Sequence, residues 1–203
     1  MEKSHTHIEH LISKKGKGDL IFPSDFRGLG TDSAIKKALS RITEKGLIRR
    51  LARGVYYVPK IDPVLGEVRP SADDVVRMLA RKEKIRVKPA GTYALHQLGL
   101  TTQVPTRRVY ITDGHSRQFM LGKLQVKFKA TTSKKLSRKG AISSLVIQAL
   151  EETGTEKIDD ITAMKIRVLL LKENPKSLKH DLELAPVKIN NYIIKLLKQD
   201  VIC

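Results

Sequence analysis

Tryptophan is missing from this sequence, and aromatic residues are scarce, with four phenylalanines and five tyrosines. Readers of single-stranded RNA stack bases on aromatic rings, so this scarcity disfavours that class. The single cysteine, Cys203, leaves no intrachain disulfide and no multi-cysteine zinc site, and fits a reducing compartment. No apolar run approaches the roughly 20 residues of a membrane span. The polar start MEKSHTHIEH lacks a signal-peptide core. Together these absences predict a cytoplasmic protein without a membrane partner.

Constellations for catalysis are missing as well. There is no G-x-x-x-x-G-K-[ST] loop, no H-E-x-x-H and no C-x-x-C. Asp73-Asp74 and Asp159-Asp160 fall at predicted helix starts, where the macrodipole favours acids. Asp181 and Glu183 share a predicted helix and point about 200° apart, whereas metal-dependent phosphoryl chemistry needs convergent carboxylates. His5, His7 and His10 lie on different helix faces with no fourth ligand. His96 and His115 stand alone. The expectation is a non-enzyme with no catalytic residue, no metal and no cofactor.

Acid is also in short supply. Of 203 residues, 39 are Lys or Arg and 21 are Asp or Glu, a formal charge of +18 with a pI near 10.1. That imbalance favours a polyanionic partner. Residues 1–65 carry +6, residues 66–140 carry +12, and residues 141–203 are neutral. Hydrophobic content of 40% is enough for a packed core.

What is present centres on residues 24–59, SDFRGLGTDSAIKKALSRITEKGLIRRLARGVYYVP. A short helix capped by Ser24 leads through Gly28-Leu29-Gly30 to a longer helix. That helix starts at Thr31 or Asp32 and stops at Gly46. Ile35, Ala38, Leu39 and Ile42 form its buried stripe. Ser33, Lys37, Ser40 and Glu44 lie opposite, flanked by Lys36 and Arg41. Residues 47–51 and 55–58 read as strands around an Ala52-Arg53-Gly54 turn. Arg49 and Arg50 alternate across their strand, so one of them at most faces a ligand and the other sits outside or pairs with an acid. This order is that of a winged helix-turn-helix, whose reading helix enters the major groove. The candidate DNA-binding residues are Thr31, Ser33, Lys36, Lys37, Ser40, Arg41, Arg49, Arg50 and Arg53. Before this stretch, a helix over residues 6–15 capped by Ser4 and a short strand over residues 19–22 are predicted.

Residues 60–69 read as a linker. Beyond it, Ser71 and Asp74 form a capping box. Residues 85–88 alternate like a strand, residues 89–100 turn into a brief helix, and Arg107 to Thr112 forms a second strand. Lys123 to Ala130 is the clearest strand, with Leu124, Val126, Phe128 and Ala130 alternating against Lys123, Gln125, Lys127 and Lys129. Lys123, Lys127 and Lys129 are a possible second basic surface, or simply a solvated sheet face. The last third is helical: an apolar stripe from Ile142 to Leu150, a well-buried helix over residues 160–172, and two helices over residues 175–184 and 186–199 that pack rather than read. The fold class expected is α+β. A winged helix-turn-helix spans residues 1–60, and a mixed α/β domain with a small sheet and several helices spans residues 70–203.

Two segments carry a family resemblance: KKALSRITEKGLIRRLARGVYYVP from Lys36 to Pro59, and the pattern P-x-G-x-x-A-L-x-x-L-G-L-T-T-Q-x-P from Pro89 to Pro105. With the N-terminal helices, they make the chain resemble the bacterial AbiEi-type antitoxins and antitoxin-like regulators over nearly its full length. The resemblance implies a DNA-binding autorepressor of promoter repeats. It also implies a C-terminal domain that counters a nucleotidyltransferase toxin encoded nearby, with no catalytic residues. Two alternatives stand beside it: an RNA-binding accessory protein using the basic second domain, and a stand-alone transcriptional regulator without a toxin.

Overall fold

A computed structural model describes residues 2–198, with side chains from His5 onward. Cys203 and Gln199 lie outside the described residues. The fold is α+β, and the chain divides into two compact units. One runs to Arg81 and includes Met120–Gly122. The other begins at Lys82 and takes the rest. The division therefore falls inside a helix, later than the linker expected at residues 60–69.

In the first unit, α1 (Glu2–Ser13) is followed by β1 (Leu20–Ile21), a 3-10 turn (Pro23–Phe26), α2 (Asp32–Glu44), β2 (Arg49–Ala52) and β3 (Val55–Tyr57). Helix α1 begins two residues before Ser4, which is therefore not its cap. The short helix before α2 is only one 3-10 turn. The Asp25 carboxylate accepts from Phe22 N–H at 2.8 Å, so Ser24 sits inside the turn rather than capping it. Pro23 and the two following glycines leave no room for a longer helix. The sheet order is β1-β3-β2, all antiparallel. Its core joins Ile8 and Ile12 of α1 to Ile35, Ala38, Leu39 and Ile42 of α2, with Ile21, Phe26, Ile48 and Tyr56. The stripe read from the sequence is the stripe that is buried.

Helix α2 has defined ends. Thr31 Oγ1 accepts from Ala34 N–H at 3.2 Å as the N-cap. At the other end Gly46 N–H donates to Thr43 O and Leu47 N–H to Ile42 O, a Schellman arrangement with Gly46 at φ +76°. A Cβ at Gly46 would meet only Arg49 Nη1 at 3.7 Å, so strain there is purely conformational. Gly46→Ala is expected to destabilise this unit by about 1 kcal/mol, read as a lower urea midpoint. An unchanged midpoint would show that the turn relaxes.

The segment expected to be a linker is a hairpin, β4 (Lys60–Asp62) and β5 (Gly66–Val68). Asp62 Oδ1 accepts from Val64 N–H and Leu65 N–H, both at 2.9 Å. Asp followed by Pro63 is a turn signal that the linker reading passed over. Helix α3 (Ala72–Glu83) opens with the expected capping box. Ser71 N–H and Oγ both donate to Asp74 Oδ2, and Asp74 N–H returns a bond to Ser71 Oγ.

The second unit has a four-stranded sheet in the order β6-β7-β9-β8: β6 (Val87–Ala90), β7 (Arg107–Thr112), β8 (Arg117–Leu121) and β9 (Leu124–Ala130). Strand β7 is antiparallel to β6 and parallel to β9. Pro89, expected to open a helix, pairs with Tyr110 inside β6 instead. An edge strand tolerates proline because one of its sides needs no N–H donor. Helix α4 (Gly91–Gln97) follows directly. Then come α5 (Ser133–Leu136), α6 (Ser143–Thr153), α7 (Asp160–Leu171), α8 (Pro175–Glu183) and α9 (Val187–Lys198). Val146, Ile147 and Leu150 of α6 pack with Ile166 and Leu170 of α7 and with Ile189, Ile193 and Leu196 of α9. Helix α7 is not well buried as expected. Ile161, Met164, Val168 and Leu171 are each more than half exposed. A helix apolar all round carries no periodic signal for which side is covered. No described helix is long and apolar enough to cross a membrane.

Candidate nucleic-acid interface

Burying Ile35, Ala38, Leu39 and Ile42 turns the opposite side of α2 outward. Thr31, Ser33, Lys36, Lys37, Ser40 and Arg41 are all exposed. Among the described residues no acid pairs with Lys36, Lys37 or Arg41, and Ser40 Oγ bonds Glu44 Oε1 at 3.3 Å. The helix thus presents three uncompensated cations and several hydroxyls on one side. Long flexible cations and short hydroxyl donors are what contact base edges and phosphates. Lys45, just past the helix, is drawn away from that surface by Glu9, 2.8 Å from its Nζ. The Lys45 hydrogen bond lowers the Glu9 pKa below the usual carboxylate value.

The ribbon turns on Arg53 and Gly54, with Ala52 paired to Val55 and Gly54 at φ +73°. The turn is therefore two residues rather than three. Arg53 is exposed at its tip without an acidic partner among the described residues. Arg49 and Arg50 stand opposite Tyr57 and Tyr56. Arg49 is the one that meets an acid, its Nε 3.6 Å from Glu67 Oε2. Glu67 also accepts the Tyr57 hydroxyl. That bond, followed by the nearby Arg49, holds Glu67 below its ordinary pKa. Arg50 stays exposed, with only a 3.4 Å contact from Nε to Ala52 O. Of the arginines singled out in the ribbon, Arg50 and Arg53 are therefore available to a ligand.

Tertiary structure also gathers cations that sequence reading missed. A cleft of about 420 Å³ in the first unit is lined by Lys17, Lys60, Arg69, Arg77 and Arg81 with Asp19 and Asp74. Arg77 is paired to Asp74 at 2.8 Å. These residues come from separate segments, so no local pattern could have grouped them.

The alternation of β9 holds in the middle of the strand and lapses at its end. Val126 and Phe128 are buried and Lys123 and Lys129 are exposed, but Ala130, expected inward, is exposed too, because it is the last residue of the strand. Lys127 is half-buried, and Lys129 Nζ lies 2.9 Å from Glu152 Oε1. The row of lysines is therefore not a uniform solvated stripe.

The second unit also brings Asp181 and Glu173 together, which their sequence positions did not suggest. Asp181 is fully buried. It accepts from Lys139 N–H at 2.6 Å, Gly140 N–H at 2.9 Å and Ser143 Oγ at 2.7 Å, and lies 3.1 Å from His180 Nδ1. Glu173 accepts from Ile142 N–H at 2.6 Å and from Ser143 N–H and Asn174 N–H at 3.0 Å. Burial pushes both carboxyls up, but these donors outweigh it and hold both below their ordinary values. Their lone pairs go to the chain's own N–H groups at the start of α6, which makes them structural anchors. Among the described residues, no group of three or more His, Cys, Asp or Glu is placed to hold a metal.

Comparisons with known proteins add little beyond a family. No curated protein matches the chain. The crystal structure of the Rv2827c protein from Mycobacterium tuberculosis is similar at 12% identity, covering 99% of this chain and 83% of that one, with a TM-score of 0.46. Residues 7–178 match a family of unknown function, and the chain therefore belongs to that family, DUF6088.

Proposed function

We propose that the first unit is a winged helix-turn-helix that binds double-stranded DNA, with α2 as the reading helix and the β2–β3 ribbon as the wing. The carrying observation is the exposed side of α2, where Lys36, Lys37 and Arg41 stand without acidic partners beside hydroxyl groups. The basic cleft holding Lys17, Lys60 and Arg69 supports this reading by offering further phosphate contacts. The chain then acts in the cytoplasm as a repressor of its own promoter. By its resemblance to AbiEi-type antitoxins, the second unit counters a nucleotidyltransferase toxin.

A shift assay at about 0.15 M salt tests the DNA reading. The full chain should retain a duplex carrying its own promoter more strongly than a scrambled duplex or an RNA of equal length. Equal retention of the RNA would remove the reading in favour of an RNA-binding accessory protein. If a nucleotidyltransferase is encoded beside its gene, co-expression with that enzyme tests the antitoxin role, and the lack of one favours a stand-alone regulator. Growth should be restored, and failure by a folded, expressed protein would leave a regulator only.

The wing makes its own prediction. An Arg50→Ala, Arg53→Ala double variant should bind the promoter about tenfold more weakly, with each arginine supplying part of the attraction to phosphates or the minor groove. Arg49→Ala should matter little, because Arg49 is engaged by Glu67. The reverse order would mean that the ribbon presents its other side.

A further inference from the structure

A cleft of about 630 Å³ lies wholly within the second unit. Its floor is the sheet surface where β7 and β9 run parallel. The register sets Val109 opposite Lys127 and Ile111 opposite Lys129, so Arg107, Val109, Lys127 and Lys129 share one face. One wall is the start of α4, another is the extended segment from Thr101 to Thr106, and a third is the end of α6 at Glu152 and Thr153. Half of this lining comes from the P-x-G-x-x-A-L-x-x-L-G-L-T-T-Q-x-P pattern, which the DNA reading leaves unused. Gly91 sits at φ +59°, a conformation open to glycine, where the chain passes from β6 into α4.

The charges in this cleft are not balanced. Lys129 is paired to Glu152 at 2.9 Å. Arg107 and Lys127 have no acidic partner among the described residues, and Lys127 is half-buried. Burying part of the Lys127 stem against the sheet leaves its ammonium for an anion that enters the cleft. Around these two cations stand the hydroxyls of Thr92, Thr101 and Thr106 and the amide of Gln103. Apolar surface comes from Leu95 and Val104, the latter 68% exposed. Cations beside hydroxyls and an apolar wall match a phosphate joined to a sugar and a flat ring. The volume lies within the range of about 300–1,000 Å³ typical of small-ligand sites.

We propose that this cleft binds a phosphorylated ligand of nucleotide size, with Arg107 and Lys127 on the phosphates and Leu95 and Val104 against the base. The inference does not depend on the DNA reading. It gives the second unit a small-molecule site through which that unit senses a nucleotide.

Calorimetric titration of the full chain with ATP, GTP and tripolyphosphate tests it. At least one nucleotide should bind saturably at one per chain, and tripolyphosphate more weakly. The Arg107→Ala, Lys127→Ala double variant should lose about tenfold in affinity or more, since charge-assisted bonds to phosphate are the strong ones. Lys123→Ala, which removes an exposed lysine that does not line the cleft, should change it less than about twofold. Amide shift mapping on the wild-type protein keeps the test decisive if the double variant fails to fold. The nucleotide should perturb Gly91, Thr106 and Val109. Three results would overturn the proposal: no saturable nucleotide binding, an equal loss in Lys123→Ala, or tripolyphosphate binding as tightly as the nucleotides. Binding of single-stranded oligonucleotides at these residues, with nucleotides inert, would replace it with a nucleic-acid surface.

Discussion

Arg41→Ala is expected to weaken promoter binding by about 1–3 kcal/mol, roughly five- to 150-fold, while leaving non-specific duplex binding nearly unchanged. Arg41 is exposed on α2, three residues past the buried Ala38 and one before the buried Ile42, so its side chain leaves the edge of the polar face. It has no acidic partner among the described residues, so no internal pair must break before it reaches a base. Its removal should not unfold the helix, because alanine has the higher helix propensity. Lys36→Ala makes the contrasting case. Removing a cation that only touches phosphate should weaken all duplexes alike and reduce the salt slope by about one. Quantitative shift titrations at several salt concentrations, on promoter and scrambled duplexes, separate the two. If both variants bind the promoter like wild type, α2 is not the reading helix.

Asp181→Ala should destabilise the second unit by about 3–5 kcal/mol, because it strands the buried Gly140 N–H and Ser143 hydroxyl, which have no water to turn to. Lys139 N–H, Gly140 N–H and Ser143 Oγ–H all point at this one carboxylate. Lys139 and Gly140 belong to the loop leading into α6, which Ser143 opens and whose side chains form the middle of the core. Gly140→Ala should fail for a related reason. A Cβ there would lie 2.0 Å from Ser143 Oγ and 2.6 Å from Glu173 Oε2, so the cap must open to admit it. Asp181→Asn should fall between, since an amide offers one acceptor oxygen and an NH₂ group that opposes the donors. The same carboxylates give the unit an acid limit. The pKa values of Asp181 and Glu173 are lowered in the fold from ordinary values of 3.8 and 4.5. Their contribution is therefore complete above those ordinary values and is lost as pH falls through the lower folded ones. Urea unfolding of the full chain across pH should show stability dropping below about pH 4. That acid-sensitive part should shrink in Asp181→Asn. A loss under about 1 kcal/mol in Asp181→Ala would mean that the loop is held by other contacts.

Much of the chain was determined by its own local pattern. The stripe Ile35-Ala38-Leu39-Ile42, the Thr31 cap and the Gly46 stop fixed α2 and left the basic side of that helix outside. The Ser71–Asp74 box set the start of α3, and the alternation of β9 placed Val126 and Phe128 in the core. These features arise between residues one to four positions apart, where periodicity and capping act directly. Strand β8 went unread because Arg117 to Leu121 has no clean alternation. A linker is the local expectation where the hairpin at residues 60–68 forms, because proline and glycine signal turns and linkers alike. Other features were decided only in three dimensions. The parallel pairing of β7 with β9, the edge position that lets Pro89 sit in β6, and the bare side of α7 depend on which element packs beside which. So do the choice of Arg49 rather than Arg50 to meet Glu67, and the approach of Asp181 to Gly140 across 41 positions. Lys127 read as one lysine in an exposed row, and it became a cleft residue because α4, the Thr101–Thr106 segment and the end of α6 close around β9. Local chemistry sets what each element is and which of its sides is polar, while packing between distant segments decides which polar groups end up paired, buried or free to bind.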